Sequence, residues 1–143
     1  MEWPLVIEVA LEVPTGNDLL GGGRFAHWAK KKAMREQWSQ MIAAKLGVRK
    51  LKQLQKFVQS NRPVMKIHFA CHRKHSLKMD NLVAGLKPVR DCLVIPDKAH
   101  PDGLGIIVYD SMKWLQEEFP TLVLVPRGMR GFTRIEISPV EVV

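Results

Sequence analysis

One stretch of the chain alternates so regularly between apolar and polar residues that it restricts the fold. Four apolar residues share one face of VMKIHFACHR, residues 64–73: Met65, Ile67, Phe69 and Cys71. Successive side chains of a β-strand point to opposite sides, so this pattern predicts a strand with one buried and one exposed face. Such a strand requires a sheet around it and a second layer over its apolar face.

Helical periodicity accounts for the segments that could form this second layer. Residues 26–46 repeat apolar groups at helical spacing and end at Gly47, a common stop signal. Residues 48–63 continue as a basic, amphipathic shorter helix or ordered loop. Residues 80–94 predict another helix, whose core-facing stripe consists of Leu82, Leu86, Val89 and Leu93.

Further strands are predicted at both ends of the chain. Residues 5–13 alternate around two glutamates, and GIIVY, residues 105–109, is short and apolar after a loop over 95–104. Residues 121–127 and 132–138 are typical of the two strands of a hairpin. The order β-α-(α)-β-α-β-β-β predicts an α/β fold (an α+β sandwich): a mixed sheet with helices mainly on one face. We expect one domain over residues 1–143.

The charge balance indicates a class of partner. With 22 Lys and Arg against 14 Asp and Glu, the formal net charge is +8, and basic domains attract polyphosphates. Much of this charge lies on the predicted helix 26–46, at Lys30, Lys31, Lys32 and Arg35. We interpret this cluster as a surface that contacts a nucleic-acid backbone, although an ordinary solvated helix face has the same pattern.

Several functional classes are disfavoured. The GGG at residues 21–23 lacks the Lys-Ser/Thr of a phosphate-binding loop, which argues against nucleotide hydrolysis. No apolar run approaches the roughly 20 residues of a membrane helix, and the N-terminus has no signal-peptide pattern, so we expect no membrane association. The predicted location is the cytoplasm of a bacterium or of a phage-infected host cell.

The cysteines and histidines are weak candidates for chemistry. Cys71 and Cys92 lie in apolar segments and are predicted to be reduced core residues. His68, His72 and His75 could suggest zinc. Four residues along a strand, however, separate side chains by about 13 Å, which is too far for one tetrahedral ion, so we expect solvated or DNA-facing histidines.

A second stripe of the predicted helix 80–94 carries charged groups. At 100° per residue, Asp80, Lys87 and Asp91 fall within about 40° of each other. Lys87–Asp91 could be an ordinary surface ion pair, and Asp80-Asn81 could simply cap the helix. The same three side chains could also form part of a metal site. The spacing alone leaves these alternatives open.

Three motifs in this part of the chain resemble those of RusA-type Holliday-junction resolvases. They are Asp80-Asn81-Leu82, the segment KPVRDCL at residues 87–93, and GIIVYDS at residues 105–111. Upstream, RFAHW at residues 24–28 is similar to the basic first helix of phage-borne members, and GFTRIEI at residues 131–137 fits the family's last strand. The similarity extends over nearly the whole chain.

This resemblance implies a homodimeric, Mg²⁺-dependent endonuclease, with Mn²⁺ as an alternative ion, that cleaves four-way-junction or other branched DNA in recombination or repair. It implies that Asp80 and Asp110 are metal ligands, that Lys87 assists at the scissile phosphate, and that Asp91 is a supporting acid. The residues expected to contact DNA are Lys30, Lys31, Lys32, Arg35, Arg73 and Lys78.

Two substitutions support a second hypothesis. Lys78 and Tyr109 stand where the family has acidic residues. A protein altered in this way could bind branched DNA without cutting it, with Lys78 contacting a phosphate directly. A third hypothesis is a basic RNA-binding or interaction protein on the same scaffold.

Overall fold

The computed structural model describes residues 1–15 and 24–140, and within the first helix it describes side chains from residue 28 onward. The GGG segment lies outside the described residues. The elements, in chain order, are β1 (Leu5–Val9), α1 (Arg24–Leu46), α2 (Val48–Asn61), β2 (Met65–Arg73), α3 (Met79–Asp91), β3 (Leu115–Glu117), β4 (Thr121–Leu124) and β5 (Phe132–Pro139). A mixed sheet with three helices confirms the predicted fold class.

The central strand of the sheet is β2. It pairs antiparallel with β5 along one edge, and parallel with both β3 and β4 along the other edge. β1 pairs antiparallel with the far side of β5, which gives the order β1-β5-β2-β3, and β4 pairs with β2 on the same edge as β3. The β3 partners begin at Met65 and the β4 partners at Ala70, so two short strands share one edge of β2.

Burial along the strands shows which face of the sheet is covered. Met65, Ile67, Phe69 and Cys71 are all 0% exposed, whereas the alternate side chains of β2 are partly or fully exposed. The apolar stripe Leu82, Leu86 and Val89 of α3 is equally buried, as predicted, and Leu93 follows it into the core. None of the helices among the described residues has the length and apolarity needed to cross a membrane.

Both cysteines are free and buried, which confirms that they are reduced core residues. Burial raises the pKa of Cys71 to about 11, partly opposed by Arg73. Burial, followed by the charges of Asp102 and Asp91, raises the pKa of Cys92 to about 12. The Cys92 thiol donates to the carbonyl oxygens of Pro88 and Arg35, so it links α3 to α1.

The predicted hairpin near the C-terminus is wrong. β4 and β5 are not neighbours, because β2 lies between them: Cys71 is opposite Leu122 of β4 on one side and opposite Thr133 of β5 on the other. With strands about 4.8 Å apart, the connection after β4 must span roughly 10 Å across β2. Seven residues separate the two strands, and their length is sufficient for this crossing.

The predicted strand over residues 105–109 is also wrong, although Ile106, Ile107 and Val108 are buried as expected. Only an isolated bridge, Val94–Ile107, forms there. The backbone N–H groups of Ile106 and Ile107 donate to the carbonyl oxygen of Leu93, just beyond α3, instead of to a sheet strand. The strand that takes its place in the sheet is β3.

Helix α3 packs unusually close to the segment that follows β1. A Cβ atom at Gly85 would overlap the carbonyl oxygen of Pro14 and would lie 2.9 Å from the Pro14 carbonyl carbon and 3.1 Å from Val13 Cγ1. Gly85 is buried in the middle of the helix, where glycine is intrinsically unfavourable. The close approach of backbone to helix therefore explains a residue that helix propensity disfavours.

We expect Gly85→Ala to lower the free energy of unfolding by about 1–3 kcal/mol, because the overlapped atoms belong to backbone and cannot rotate away. Helix propensity alone predicts the opposite sign, a gain of about 1 kcal/mol. Urea denaturation followed by circular dichroism measures the change. Val83→Ala, at an exposed position of the same helix, is the control and should remain close to wild type. A stabilised Gly85→Ala protein would contradict the close packing.

Candidate functional site

Three ligating side chains from separate segments meet at the C-terminal end of α3. They are Asp91, the last residue of that helix, His100 from the following loop, and Asp110. One oxygen or nitrogen atom from each lies within 4.8 Å of those of the other two. Asp91 and His100 are buried and Asp110 is half-buried. Two carboxylates and an imidazole in this arrangement form a candidate metal-binding triad.

Asp91 is the most enclosed carboxylate of the triad, with 9% of the residue exposed. Its Oδ1 atom lies 3.7 Å from Lys87 Nζ and 3.6 Å from His100 Nε2, and both separations are longer than a hydrogen bond. Among the described residues no hydrogen bond reaches this buried oxygen. The Lys87–Asp91 pair considered from helical spacing is therefore formed, but it leaves Asp91 Oδ1 with unused acceptor capacity.

The loop that carries His100 is closed by backbone hydrogen bonds at its base. Leu104 donates to the carbonyl of Cys92 at 2.8 Å, and Ile95 donates to that of Ile107 at 3.1 Å. Side chains from two helices also hold the loop: Ser39 of α1 donates to the carbonyl of Asp102, and Gln55 of α2 donates to that of Leu104, each at 2.8 Å. This closure places His100 beside the end of α3.

Within this loop, Asp97 fixes the orientation of the imidazole. Asp97 Oδ1 accepts hydrogen bonds from the backbone N–H of His100 at 2.7 Å and from His100 Nδ1 at 2.9 Å. The bond with the His100 side chain is the main cause that holds the pKa of the Asp97 carboxyl below its usual range. An ionised carboxylate only accepts hydrogen bonds, so Nδ1 carries the proton and Nε2 is directed towards Asp91.

A second contact to the imidazole comes from the segment of Asp110. Tyr109 packs edge-on against His100, with ring centroids 5.4 Å apart and an interplanar angle of 90°. Asp97 and Tyr109 therefore contact His100 from the two segments that flank it in the chain.

Glu117 adds another carboxylate near Asp110. Its side chain is 28% exposed and lies 3.4 Å from Arg90 Nε of α3. Burial raises the pKa of the Glu117 carboxyl, the charge of Arg90 opposes this, and the charge of Asp110 raises it further. The acidic groups at this end of α3 are thus close enough to influence one another.

The structure places the other predicted metal ligand elsewhere. Asp80 is exposed in the first turn of α3, where its Oδ1 accepts a hydrogen bond from the Asn81 backbone N–H. It is separated from Asp91 by eleven residues, or about 16 Å along the helix axis. Asp110 is therefore brought to Asp91 and not to Asp80. Lys78 is the exposed N-cap residue of the same helix and lies at this distant end.

The predicted DNA-contacting residues separate into two groups. Lys31 and Arg35 line a cavity of about 130 Å³ that Lys87 and Asp91 also line, and Lys30 and Lys32 are exposed on α1 nearby in sequence. Arg73 differs, because its guanidinium donates to the carbonyl of Val13 and lies 3.7 Å from Glu12. That placement gives Arg73 a structural role at the end of β2, and its contact with DNA stays a prediction.

The two tryptophans of α1 also differ from each other. Trp38 is 2% exposed and belongs to the core, as the helical spacing of the apolar residues in this segment leads one to expect. Trp28 is instead 61% exposed, and Lys32 Nζ lies 5.5 Å from the centre of its ring. The basic end of α1 therefore presents an exposed aromatic ring among its lysines.

Sequence reasoning missed His100 and Glu117 as members of the site. The i,i+3 spacing of Asp97 and His100 was a usable signal, because that spacing suits a turn in which Asp accepts from the His backbone. The backbone bond from His100 to Asp97 follows from this spacing, whereas the second bond, to the ring, depends on the loop conformation. Glu117 carried no signal of its own, since β3 was not predicted.

Comparison of the sequence with protein-family models gives no match, and comparison with curated proteins gives no significant match. The similarity to RusA-type resolvases therefore depends on the motifs themselves.

We expect Asp110→Asn to lower the pKa of Glu117, because the Asp110 charge helps to raise it. Carbon-detected NMR titration of the Glu117 carboxyl in metal-free buffer measures the change. A raised folded-state pKa means that this carboxyl favours folding increasingly as pH falls through that pKa, and the substitution should weaken this trend. Asp80→Asn, at the distant end of α3, is the control. Equal effects of the two substitutions would contradict the proximity of Asp110 and Glu117.

Proposed function

We propose that this protein is a metal-dependent endodeoxyribonuclease that cleaves four-way-junction or other branched DNA. The observation that carries the proposal is the convergence of Asp91, His100 and Asp110 beside a cavity lined by Lys31, Arg35 and Lys87. Metal-dependent phosphodiester hydrolysis uses a metal site to offset the charge that develops at the phosphate, and neighbouring cationic groups can hold that phosphate. The motif similarity to RusA-type resolvases supplies the branched-DNA substrate and the cytoplasmic setting.

The residues present fit a divalent cation. Two ligand atoms about 2.1 Å from one ion lie about 3.0 Å apart at a right angle and about 3.4 Å apart at a tetrahedral angle. The separation of 3.6 Å between Asp91 Oδ1 and His100 Nε2 is close to this range. The buried Asp91 Oδ1 atom accepts no hydrogen bond among the described residues, so its lone pairs are available to a cation. When bound, such a cation would offset the negative charge that develops at the phosphate.

The chain's own cations have distinct roles in this proposal. Lys87 is 66% exposed at the mouth of the site and can donate to a phosphate oxygen while it remains near Asp91. Arg35 lies 3.9 Å from Asp102 and is held at the wall of the cavity. Lys30, Lys31 and Lys32 extend the positive surface along α1, and Trp28 offers a ring on which an unpaired base could stack.

Assembly as a homodimer is part of the proposal. Symmetric cleavage of a four-way junction requires two cuts, and two identical sites related by a two-fold axis can make them. One copy of the chain supplies one triad and one basic α1 surface.

A second candidate function is recognition of branched DNA without cleavage. It is favoured by the exposed Lys78 at the N-cap of α3, where the free backbone N–H groups of the helix terminus also attract phosphate. In this alternative the N-terminal end of α3 contacts the DNA backbone and no phosphodiester bond is hydrolysed.

Cleavage of a synthetic four-way junction in Mg²⁺ or Mn²⁺ tests the proposal. We expect Asp91→Asn and Asp110→Asn each to reduce the cleavage rate by about 100-fold or more, because loss of a direct ligand should exceed the roughly 10–100-fold effect of outer partners. Asp80→Asn is the matched control and should retain activity. Junction binding without nicking in either metal would support the second candidate and overturn the first. Activity lost only in Asp80→Asn would place the metal site at the other end of α3.

The contribution of α1 is tested separately by the salt dependence of junction binding. We expect Lys31→Ala to weaken binding and to reduce the slope of log K against log salt by about 1, as loss of one phosphate contact does. Lys45→Ala is the control, since Lys45 is an exposed lysine fourteen residues further along the same helix, about 21 Å away. Fluorescence anisotropy with labelled junction, repeated over a range of salt concentrations, measures the affinity and the slope for both variants. Equal slopes for the two variants would show that binding is not centred on the cavity.

A further inference from the structure

We propose that His100 is a metal ligand positioned by Asp97, and that this imidazole makes the site selective for a first-row transition ion such as Mn²⁺ over Mg²⁺. The inference deepens the proposed function, because it concerns the same triad and names the ion that the triad holds. It assigns a positioning role to Asp97, which lies outside the triad.

The orientation of the ring is determined before any ion binds. Asp97 Oδ1 accepts from both the backbone N–H and the Nδ1 of His100, at 2.7 and 2.9 Å. In the neutral tautomer with the proton on Nδ1, the lone pair is on Nε2, the atom that lies 3.6 Å from Asp91 Oδ1. A histidine that ligates a metal commonly donates its other ring N–H to a carboxylate in this way, which fixes the tautomer and increases ligand basicity.

The ring is also confined. His100 is 8% exposed, and Tyr109 packs edge-on against it. The loop on which it lies is tied to α1 through Ser39 and to α2 through Gln55. A ligand held on this many sides loses little conformational freedom when an ion binds, so the site is preorganised for coordination through nitrogen.

The donor set decides between metals. Mg²⁺ prefers oxygen ligands and retains several waters, whereas imidazole suits transition ions, and affinity for a mixed nitrogen and oxygen site increases from Mn²⁺ across the first row. Two carboxylates and one buried imidazole therefore favour Mn²⁺ over Mg²⁺. Asp91 Oδ1 accepts no hydrogen bond within the described part of the chain, although its residue is nine-tenths buried, and this is an independent sign that a cation completes the site.

Metal binding measured without DNA tests this inference. Metal-free full-length protein is titrated with Mn²⁺, free ion is followed by electron paramagnetic resonance, and pulsed spectra detect nitrogen bound to the ion. For wild type we expect binding that persists in hundredfold excess Mg²⁺, with nitrogen modulation in the pulsed spectrum. His100→Gln should remove that modulation, and Asp97→Asn should weaken Mn²⁺ affinity by about 10–100-fold. His75→Gln, at an exposed histidine, is the control and should match wild type.

Several outcomes would overturn the inference. They are the absence of nitrogen modulation in wild type, Mn²⁺ affinity unchanged in His100→Gln, and displacement of Mn²⁺ by equimolar Mg²⁺. The wild-type spectrum decides the matter even where a variant fails to fold. Nitrogen-bound Mn²⁺ without junction cleavage would refute the nuclease proposal and leave the inference intact. Mg²⁺-supported cleavage that His100→Gln does not affect would refute the inference and leave the nuclease proposal intact.

Discussion

The pairing of β2 on both edges is the constraint from which the other arrangements follow. β5 occupies one edge over eight residue pairs, and β3 and β4 divide the other edge between them. Because the apolar side of β2 is fully buried, the helices must pack on that side of the sheet. Residues 105–109 then have no edge of β2 to join, and they pack instead against the residues that follow α3. This packing brings Asp110 to the end of that helix.

The elements predicted correctly are those whose signal is local. Alternation along residues 64–73 and the apolar stripe of α3 report which side chains are buried, and burial depends mainly on the periodicity of the segment itself. The predicted hairpin was wrong because the turn composition between residues 124 and 132 indicates a reversal of the chain. This composition carries no information about a strand that lies between the two predicted strands. Strand β3 was not predicted, because a segment of three residues is too short to show periodicity.

The candidate site, like the fold, was predictable only in part from the sequence. Lys87 and Asp91 are one helical turn apart, so helix geometry alone brings them together. Asp110 was indicated by motif similarity, which does not state the partner that the fold provides. His100 joins Asp91 because hydrogen bonds at residues 92–95 and 104–107 close the intervening loop, and such closure cannot be deduced from local sequence. Asp80 was indicated by the same motif similarity, and the angular position that it shares with Lys87 and Asp91 does not reveal their separation along the helix axis.

The same axial distance changes the significance of Lys78. An ammonium beside a metal ligand would repel the ion, which is why a lysine in place of a family carboxylate favours the non-cleaving hypothesis. Lys78 and Asp91, however, are thirteen residues apart on a continuous helix, or about 20 Å along its axis. That separation is about twice the screening length of roughly 8–10 Å at physiological salt, and Lys78 is exposed to solvent. Its charge therefore has little effect on an ion at Asp91. Tyr109, the other departure from the acidic pattern, packs against the imidazole that joins the two carboxylates.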